Sequence, residues 1–288
     1  MNKQQALISK LQRKRLLVKT KKRGVHKGTR QSGKFGSSLE FSDFRSYQPG
    51  DDVRLIDWNV YGRTNKHYIK RYLDEQELAI AIYLDTTSSM KQVNSKWQLA
   101  KQLAAAFSYI VLNSEDRLHF STVSSAKVEP IKRKGSVYSR KMFLEILSLE
   151  EIGKTDEYFH TLVKTIARKQ QLTIMITDGL EPLEDVEILL KKMAAFKQEF
   201  WLIQVLSDEE LKPSFSGDMK LIDCESDVAV NVSMSPAILA SYEKRLKEHN
   251  HNLEGMCRKF GGHYLLASDN RDVLTILFHD CSGKGLLN

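Results

Sequence analysis

Apolar residues after position 76 follow two alternating patterns, short continuous runs and helical repeats. Residues 78–84 are all apolar, which is typical of a strand buried on both faces. Apolar side chains then recur at helical spacing from Trp97 to Val111. The same patterns predict strands near 117–123, 126–132, 172–176 and 200–206, helices over 137–148, 157–169, 183–196 and 236–260, one or two edge strands within 219–232, and a short strand and a helix within 263–278. This alternation predicts an α/β fold with a mostly parallel sheet and helices on both faces.

Residues 24–75 show neither pattern and are rich in Gly, Asp, Arg and aromatic residues. Such a composition predicts irregular chain, turns and short strands. The length of 288 residues allows one or two domains. We therefore divide the chain into a basic N-terminal arm over 1–23, an irregular or β segment over 24–75 that packs on the body, and an α/β domain over 76–288 with a C-terminal helical extension.

The positive charge of the chain is concentrated at its N-terminus. The net charge is +8, and residues 1–39 contain twelve basic and no acidic residues. Leucines among these charges predict a short amphipathic helix. The arm could be solvated, dock on an acidic protein, or bind nucleic acid or an anionic membrane surface. It lacks aromatic residues that would stack on bases, so nucleic acid is the less favoured of these partners.

Cysteine content and hydropathy bear on the compartment. The three cysteines, Cys224, Cys257 and Cys281, are too far apart to suggest a disulfide framework or a zinc ribbon. No apolar run approaches the roughly 18 residues that cross a bilayer. We therefore expect a cytoplasmic protein with reduced thiols and no transmembrane segment.

Oxygen-bearing side chains follow the predicted strands at the points where ligands bind in open α/β sheets. Asp85, Thr87 and Ser89 come directly after the first strand at alternate positions, Asp178 follows the strand that ends at residue 176, and Thr155 precedes the helix at 157. Hard oxygen ligands of this kind suit Mg²⁺ or Mn²⁺. The sequence therefore predicts a metal site formed by Asp85, Thr87, Ser89, Thr155 and Asp178.

This constellation resembles the metal-ion-dependent adhesion site of von Willebrand factor A-like domains, with Thr87 in place of the commoner serine. The resemblance implies a von Willebrand A-like, Rossmann-like fold. A second resemblance lies upstream, where the chain reads G-x-x-G-x-x-x-E-F-x-x-x-R-x-Y-x-P-G-D-D-x-R-x-I-D-W from Gly33 to Trp58, followed by Arg63. This run is similar to the signature of the bacterial family called domain of unknown function 58. Members are typically encoded beside MoxR-like AAA+ ATPases, so the resemblance implies an adaptor or chaperone-like partner of such an ATPase.

The alternating charges and aromatic residues of 40–63 allow two interpretations, a structural network and a binding surface. We expect Phe41, Tyr47 and Trp58 to be buried, because each is too apolar to leave in water. No nucleophile or poised histidine accompanies the carboxylates, so we expect no catalytic residues here.

These features together predict a non-enzymatic, metal-dependent protein-interaction module. An open coordination position on the ion would accept an Asp or Glu from the ATPase or from a client protein, and no small-molecule substrate is expected. One alternative is a binder of nucleic acid or an anionic membrane surface that works through the basic arm. The other is a Mg²⁺-dependent phosphohydrolase, which is disfavoured because Thr87 stands where such enzymes usually carry a second aspartate.

Overall fold

The computed structural model describes residues 3–19, 27–123, 130–150, 157–222 and 229–288. They belong to two compact units, Met1–Lys22 together with Ala79–Asn288, and Arg23–Leu78. The strands are β1 (Lys27–Ser46), β2 (Tyr68–Gln76), β3 (Ala79–Asp85), β4 (Arg117–Val123), β5 (Ile131–Lys134), β6 (Leu172–Thr177), β7 (Glu199–Leu206), β8 (Gly217–Ile222), β9 (Ala229–Met234) and β10 (His263–Ser268). The helices are α1 (Lys3–Leu11), α2 (Trp58–Thr64), α3 (Ser88–Gln92), α4 (Asn94–Asn113), α5 (Ser139–Leu147), α6 (Tyr158–Thr165), α7 (Leu183–Ala195), α8 (Asp208–Leu211), α9 (Pro236–Lys259) and α10 (Val273–Thr275), which continues as a π-helix over Ile276–Cys281.

The larger unit is built around a six-stranded sheet in the order β10-β7-β6-β3-β4-β5. Five strands run parallel, and β5 alone pairs antiparallel, with β4. The central strands β6 and β7 are buried along their whole length, as continuous apolar runs require. This architecture confirms the predicted α/β fold class of von Willebrand A-like type.

Helices cover both faces of this sheet. Ala81, Tyr83 and Met175 point from one face into a core cluster that also contains residues of α6, α7 and α9. Helix α4 contacts β3, β4, β6 and β7 without joining that cluster, which places it on the other face. Fifteen of its twenty residues are buried, because α1 and α5 cover its outer side. No helix in the described ranges is both long enough and apolar enough to cross a bilayer.

Three predicted elements differ in the structure. The prediction of edge strands within 219–232 is wrong, because β8 and β9 form a separate antiparallel hairpin while β10 occupies the sheet edge beside β7. The strand expected near 126–132 is seen only as β5, and positions 124–129 lie outside the described residues. Helix α6 ends at Thr165, short of the expected end at 169.

Residues 3–19 are part of the larger unit and do not form a free arm. The predicted helix is present as α1, and it packs against α4. Leu11 and Leu16 are completely buried, while Lys10 and Arg13 are exposed. Leu16 forms a β-bridge with Leu287. The apolar residues between the charges thus anchor this segment in the larger unit. This anchoring was not predicted, because the high charge of the segment suggested a separate arm.

The smaller unit, Arg23–Leu78, contains the long antiparallel pair β1–β2 and the short helix α2. Ile56 and Ile69 are buried and form a β-bridge. The expectation that Trp58 is buried is wrong, since 60% of its surface is exposed and its ring lies edge-on to those of Tyr61 and His67. Tyr47 is half-buried, and the side chain of Phe41 lies outside the described residues.

The charges of the 40–63 segment form local contacts within this smaller unit. Ion pairs join Arg45 to Asp51, Arg54 to Asp52, and Lys70 to Asp57. Asp52 and Asp57 also cap the helical turn Val53–Leu55 and helix α2 by accepting backbone N–H groups. These contacts support a structural network, and the exposed ring of Trp58 is compatible with a binding surface.

Candidate metal centre

The candidate site lies at the carboxyl edge of the sheet, where β3 and β6 end side by side. Asp85 is the last residue of β3, and Asp178 directly follows β6. The two strands are parallel neighbours, with Leu84 opposite Ile176. The register therefore places these two predicted ligands on adjacent loops.

Asp85 is buried, and both of its carboxylate oxygens accept hydrogen bonds. Oδ1 accepts the backbone N–H of Thr87 at 2.8 Å, and Oδ2 accepts the hydroxyl of Thr177 at 2.6 Å. Burial, followed by the negative charge of Asp178, raises the pKa of Asp85 from 3.8 to about 7. The carboxylate is therefore held in a fixed orientation in a place that disfavours its negative charge.

Thr87 and Ser89 bring two hydroxyl groups to the same loop. Their oxygens lie 3.0 Å apart, and Thr87 immediately precedes α3 in an extended conformation. The hydroxyl of the intervening Thr86 instead donates to the carbonyl oxygen of Val123 in the interior. The hydroxyls of Thr87 and Ser89 therefore lie together, as their alternate positions in the sequence predict. The hydroxyl of Thr86 points into the interior and has a structural role.

Asp178 is buried on a loop that Gly179 allows to turn sharply. Gly179 has φ +63°, a conformation that favours glycine, and its N–H donates to the Thr177 hydroxyl at 3.0 Å. The carbonyl oxygen of Asp178 accepts the side-chain amide of Gln204 from β7 at 2.8 Å. The loop is thereby tied to two neighbouring strands.

Lys96 contacts Asp178 and was not among the residues predicted from the sequence. Its side chain is completely buried, and Nζ lies 3.0 Å from Asp178 Oδ2 and 2.8 Å from Glu210 Oε1. Burial opposes protonation of the amine, but the charges of Asp178 and Glu210 outweigh it and raise the pKa of Lys96 above its ordinary value. The sequence contains one signal for the burial of Lys96. At helical spacing it falls on the same face of α4 as the apolar positions 100, 103 and 107.

A third acidic group, Glu181, adjoins the two aspartates. Its carboxylate accepts the backbone N–H groups of Tyr158 and Phe159 at the start of α6, at 2.7 Å and 3.2 Å. Desolvation raises the pKa of Glu181 from 4.5 to about 8, with smaller contributions from Asp85 and Asp178. The charge of Asp178 thus adds to the raised pKa of both Asp85 and Glu181 at this edge of the sheet.

The residues present fit a hard divalent cation. Two carboxylates and two hydroxyls of the predicted set come from adjacent loops, and a cation would relieve the repulsion between Asp85 and Asp178. The fifth predicted ligand, Thr155, lies outside the described residues. Within the described part of the chain no cluster of three or more His, Cys, Asp or Glu side chains is suited to a metal. The predicted set contains only two such side chains and obtains its other oxygens from hydroxyls.

A six-stranded, mostly parallel sheet with helices on both faces is the architecture of a von Willebrand A-like domain. Residues 43–252 match the model of the family described as protein of unknown function DUF58, and the chain belongs to that family. The resemblance to this family that was inferred from residues 33–63 is thereby confirmed.

Relatives and solved structures add distant similarities. The chain is 26% identical over 276 residues to uncharacterized protein Rv1480 of Mycobacterium tuberculosis, covering 93% of this chain and 86% of that protein. BatB from Bacteroides thetaiotaomicron is 17% identical, covers 72% of this chain and 98% of its own, and has a TM-score of 0.42. An aerotolerance-related membrane protein from Bacteroides fragilis is 13% identical over 73% of this chain and 96% of its own, with a TM-score of 0.43. Similarities this distant carry no functional property over to this chain.

Proposed function

We propose that this protein is a non-enzymatic interaction module that binds its partner through Mg²⁺ or Mn²⁺. Asp85, Thr87, Ser89, Thr155 and Asp178 would hold the ion, some of them through water. The observation that carries the proposal is the convergence of two buried carboxylates and two hydroxyls at one sheet edge, where burial and mutual repulsion raise the pKa of Asp85. When bound, the ion supplies an open coordination position that accepts a carboxylate oxygen.

The surrounding residues hold the candidate ligands in place. The backbone N–H of Thr87 and the hydroxyl of Thr177 orient Asp85, and Gln204 anchors the backbone of Asp178. Such support reduces the entropy lost when a ligand binds. A preorganised site of this kind would favour one acidic side chain over a general anionic surface.

The partner in this proposal carries an exposed Asp or Glu. Membership of the family favours a MoxR-like AAA+ ATPase, or a client protein that the two proteins handle together in the cytoplasm. The basic-arm alternative is weakened because Leu11 and Leu16 anchor residues 3–19 within the larger unit. Its exposed charges, among them Lys10 and Arg13, could still add a salt-sensitive component.

The proposal is tested by measuring affinity for a purified MoxR-like ATPase in Mg²⁺ or in EDTA, over roughly 50 to 500 mM salt. Metal-centred binding disappears in EDTA and changes little with salt, because the bond to the ion is short-ranged and shielded. Binding by the basic segment would survive EDTA and fall steeply as the Debye length shrinks.

Two variants sharpen this comparison. The double variant Lys10→Glu, Arg13→Glu changes exposed charges and leaves Leu11 in place, so it should preserve metal-dependent binding. Asp85→Asn should remove that binding at every salt concentration. Strong binding in EDTA that is lost in the double variant would refute the metal-centred mechanism.

A further inference from the structure

We infer that Lys96 is a built-in counter-cation of the candidate metal centre and lowers its affinity for divalent cations. The inference rests on the proposed metal site and names a residue outside the predicted ligand set. A metal ion that binds Asp178 would have to share this carboxylate with the ammonium group of Lys96.

The position of Lys96 leaves its ammonium group with acidic partners and no access to solvent. The side chain is 0% exposed, and Nζ lies 3.0 Å from Asp178 Oδ2 and 2.8 Å from Glu210 Oε1. Ion pairs that are fully removed from water interact much more strongly than exposed ones. The ammonium group is therefore a permanent positive charge at hydrogen-bond distance from a predicted ligand.

Asp85, the other predicted aspartate ligand, has no cationic partner among the described residues. The oxygens of Asp85 accept hydrogen bonds from neutral donors, Thr87 and Thr177. Lys96 therefore balances the charge of Asp178, whereas the described partners of Asp85 are neutral. A divalent ion would gain the attraction of Asp85 but would be repelled by the ammonium group next to Asp178.

Glu210 gives Lys96 an alternative partner. One oxygen of Glu210 contacts Lys96, and the other accepts the backbone N–H of Ser207 at 2.7 Å in a capping box at the start of α8. The capping box thus holds Glu210 in position. Glu210 can therefore remain paired with the ammonium group of Lys96 when a metal ion binds Asp178. The balance between Asp178 and Glu210 then determines how easily the ion enters.

Two substitutions should shift the metal affinity in opposite directions. Lys96→Met removes the competing charge and should tighten Mn²⁺ binding by about tenfold or more. Glu210→Gln keeps the capping box, which accepts Gln as well as Glu, but removes the negative charge that draws Lys96 away from Asp178. This second variant should weaken Mn²⁺ binding.

Each variant has a matched control. Lys101→Met changes another buried lysine of α4, whose amine donates to the carbonyl oxygens of Leu147 and Leu149. Glu209→Gln removes the same charge from an exposed residue next to Glu210. Both controls should bind Mn²⁺ as the wild type does.

The experiment is calorimetric titration of the full chain with MnCl₂, with circular dichroism to establish that each variant is folded. Tighter binding by Lys96→Met and weaker binding by Glu210→Gln support the inference. An unchanged or lower affinity of folded Lys96→Met overturns it, as does unchanged or tighter binding by Glu210→Gln. Should Lys96→Met not fold, Glu210→Gln alone decides, because it retains the buried ammonium group and its partner Asp178.

The same titration separates this inference from the proposed function. If the wild type shows no detectable binding but Lys96→Met binds Mn²⁺, the inference holds and the proposed metal dependence of the natural protein fails. If the wild type binds and Lys96→Met binds equally well, the proposed site stands and the inference fails. Absence of binding in both proteins contradicts both.

Discussion

The Thr177 hydroxyl donates a 2.6 Å hydrogen bond to Oδ2 of Asp85, so the last residue of β6 orients the acid that ends β3. The same hydroxyl oxygen accepts the N–H of Gly179. A single side chain thereby links the two loops that carry the predicted aspartate ligands. The relative position of Asp85 and Asp178 is set by the sheet register and by this bond, before any metal binds.

Replacement of Asp85 by asparagine should abolish Mn²⁺ binding and leave the fold intact. The amide has nearly the same shape as the carboxylate, but it lacks the negative charge that a hard cation requires. Calorimetric titration with MnCl₂ checks the loss, and circular dichroism checks the fold. Glu184→Gln on α7, an exposed site, makes the same chemical change and should bind as the wild type does. Unaltered Mn²⁺ affinity in Asp85→Asn would refute the site assignment.

Without metal, the stability of the protein should depend on pH through Asp85. Its pKa is raised from 3.8 to about 7 in the folded state, so the folded protein holds this proton more tightly than the unfolded chain. The folded state therefore loses stability as pH rises from about 4 to about 7, and the full loss persists above that range. Glu181, with its pKa raised to about 8, acts in the same direction.

The comparison with Asp85→Asn isolates this contribution from other titrating groups. Desolvation lowers the pKa of His119 and His263, which makes stability rise with pH below about 6.5 and so opposes the acids. In EDTA, the unfolding free energy of the variant relative to wild type should increase between about pH 4 and about pH 7. Urea denaturation at several pH values measures it. A pH-independent difference would show that Asp85 is not desolvated as the structure indicates.

The N-terminal helix should contribute substantially to the stability of the larger unit. Leu11 is completely buried, so Leu11→Ala should lower the free energy of unfolding by roughly 2 to 5 kcal/mol. Lys10→Ala on the same helix is exposed and should change it by less than about 0.5 kcal/mol. Urea denaturation compares the two variants. Equal stability of both would mean that residues 3–19 behave as a free arm in solution.

In the smaller unit, Asp57 should matter more to stability than Asp52. Asp57 is buried, caps α2 through two backbone N–H groups and pairs with Lys70, so Asp57→Ala should cost roughly 1 to 2 kcal/mol. Asp52 caps only the short turn Val53–Leu55, and its ion pair with Arg54 is exposed, so Asp52→Ala should cost less. Hydrogen exchange of the α2 amides in the two variants measures this difference in stability. Equal exchange rates in both variants would mean that the capping bonds of Asp57 do not persist in solution.

Much of the sheet and of the candidate site was predictable because both depend on local sequence. Buried parallel strands appear as continuous apolar runs, and their carboxyl ends locate Asp85 and Asp178 without knowledge of tertiary contacts. The hairpin β8–β9 was misplaced because the sequence does not tell which strand takes the sheet edge, a position that β10 occupies. The burial of Leu16 was not predicted, because the residues around it are highly charged and its bridge partner Leu287 lies at the other end of the sequence.

Lys96 and Trp58 were missed for a related reason. A lysine is rarely buried unless paired, and its partners, Asp178 on a loop and Glu210 in α8, are far away in the sequence. Trp58 was expected in a core because of its apolar ring, but 60% of its surface is exposed and its ring lies edge-on to those of Tyr61 and His67. Hydrophobicity of a single residue does not determine burial when the surrounding unit is small.

The bridge between Leu16 and Leu287 also has a consequence for how the chain folds as it is synthesised. The hydrogen bond from the backbone of Arg15 to Asn288 joins positions 273 residues apart, and α1 packs against α4, which comes after the whole of the smaller unit. The smaller unit draws its strands from one continuous stretch and can pair them as soon as that stretch is translated. The leucines of residues 3–19 remain exposed on the nascent chain until α4 and Leu287, against which they pack, have been translated. Residues that are translated early are thus buried late.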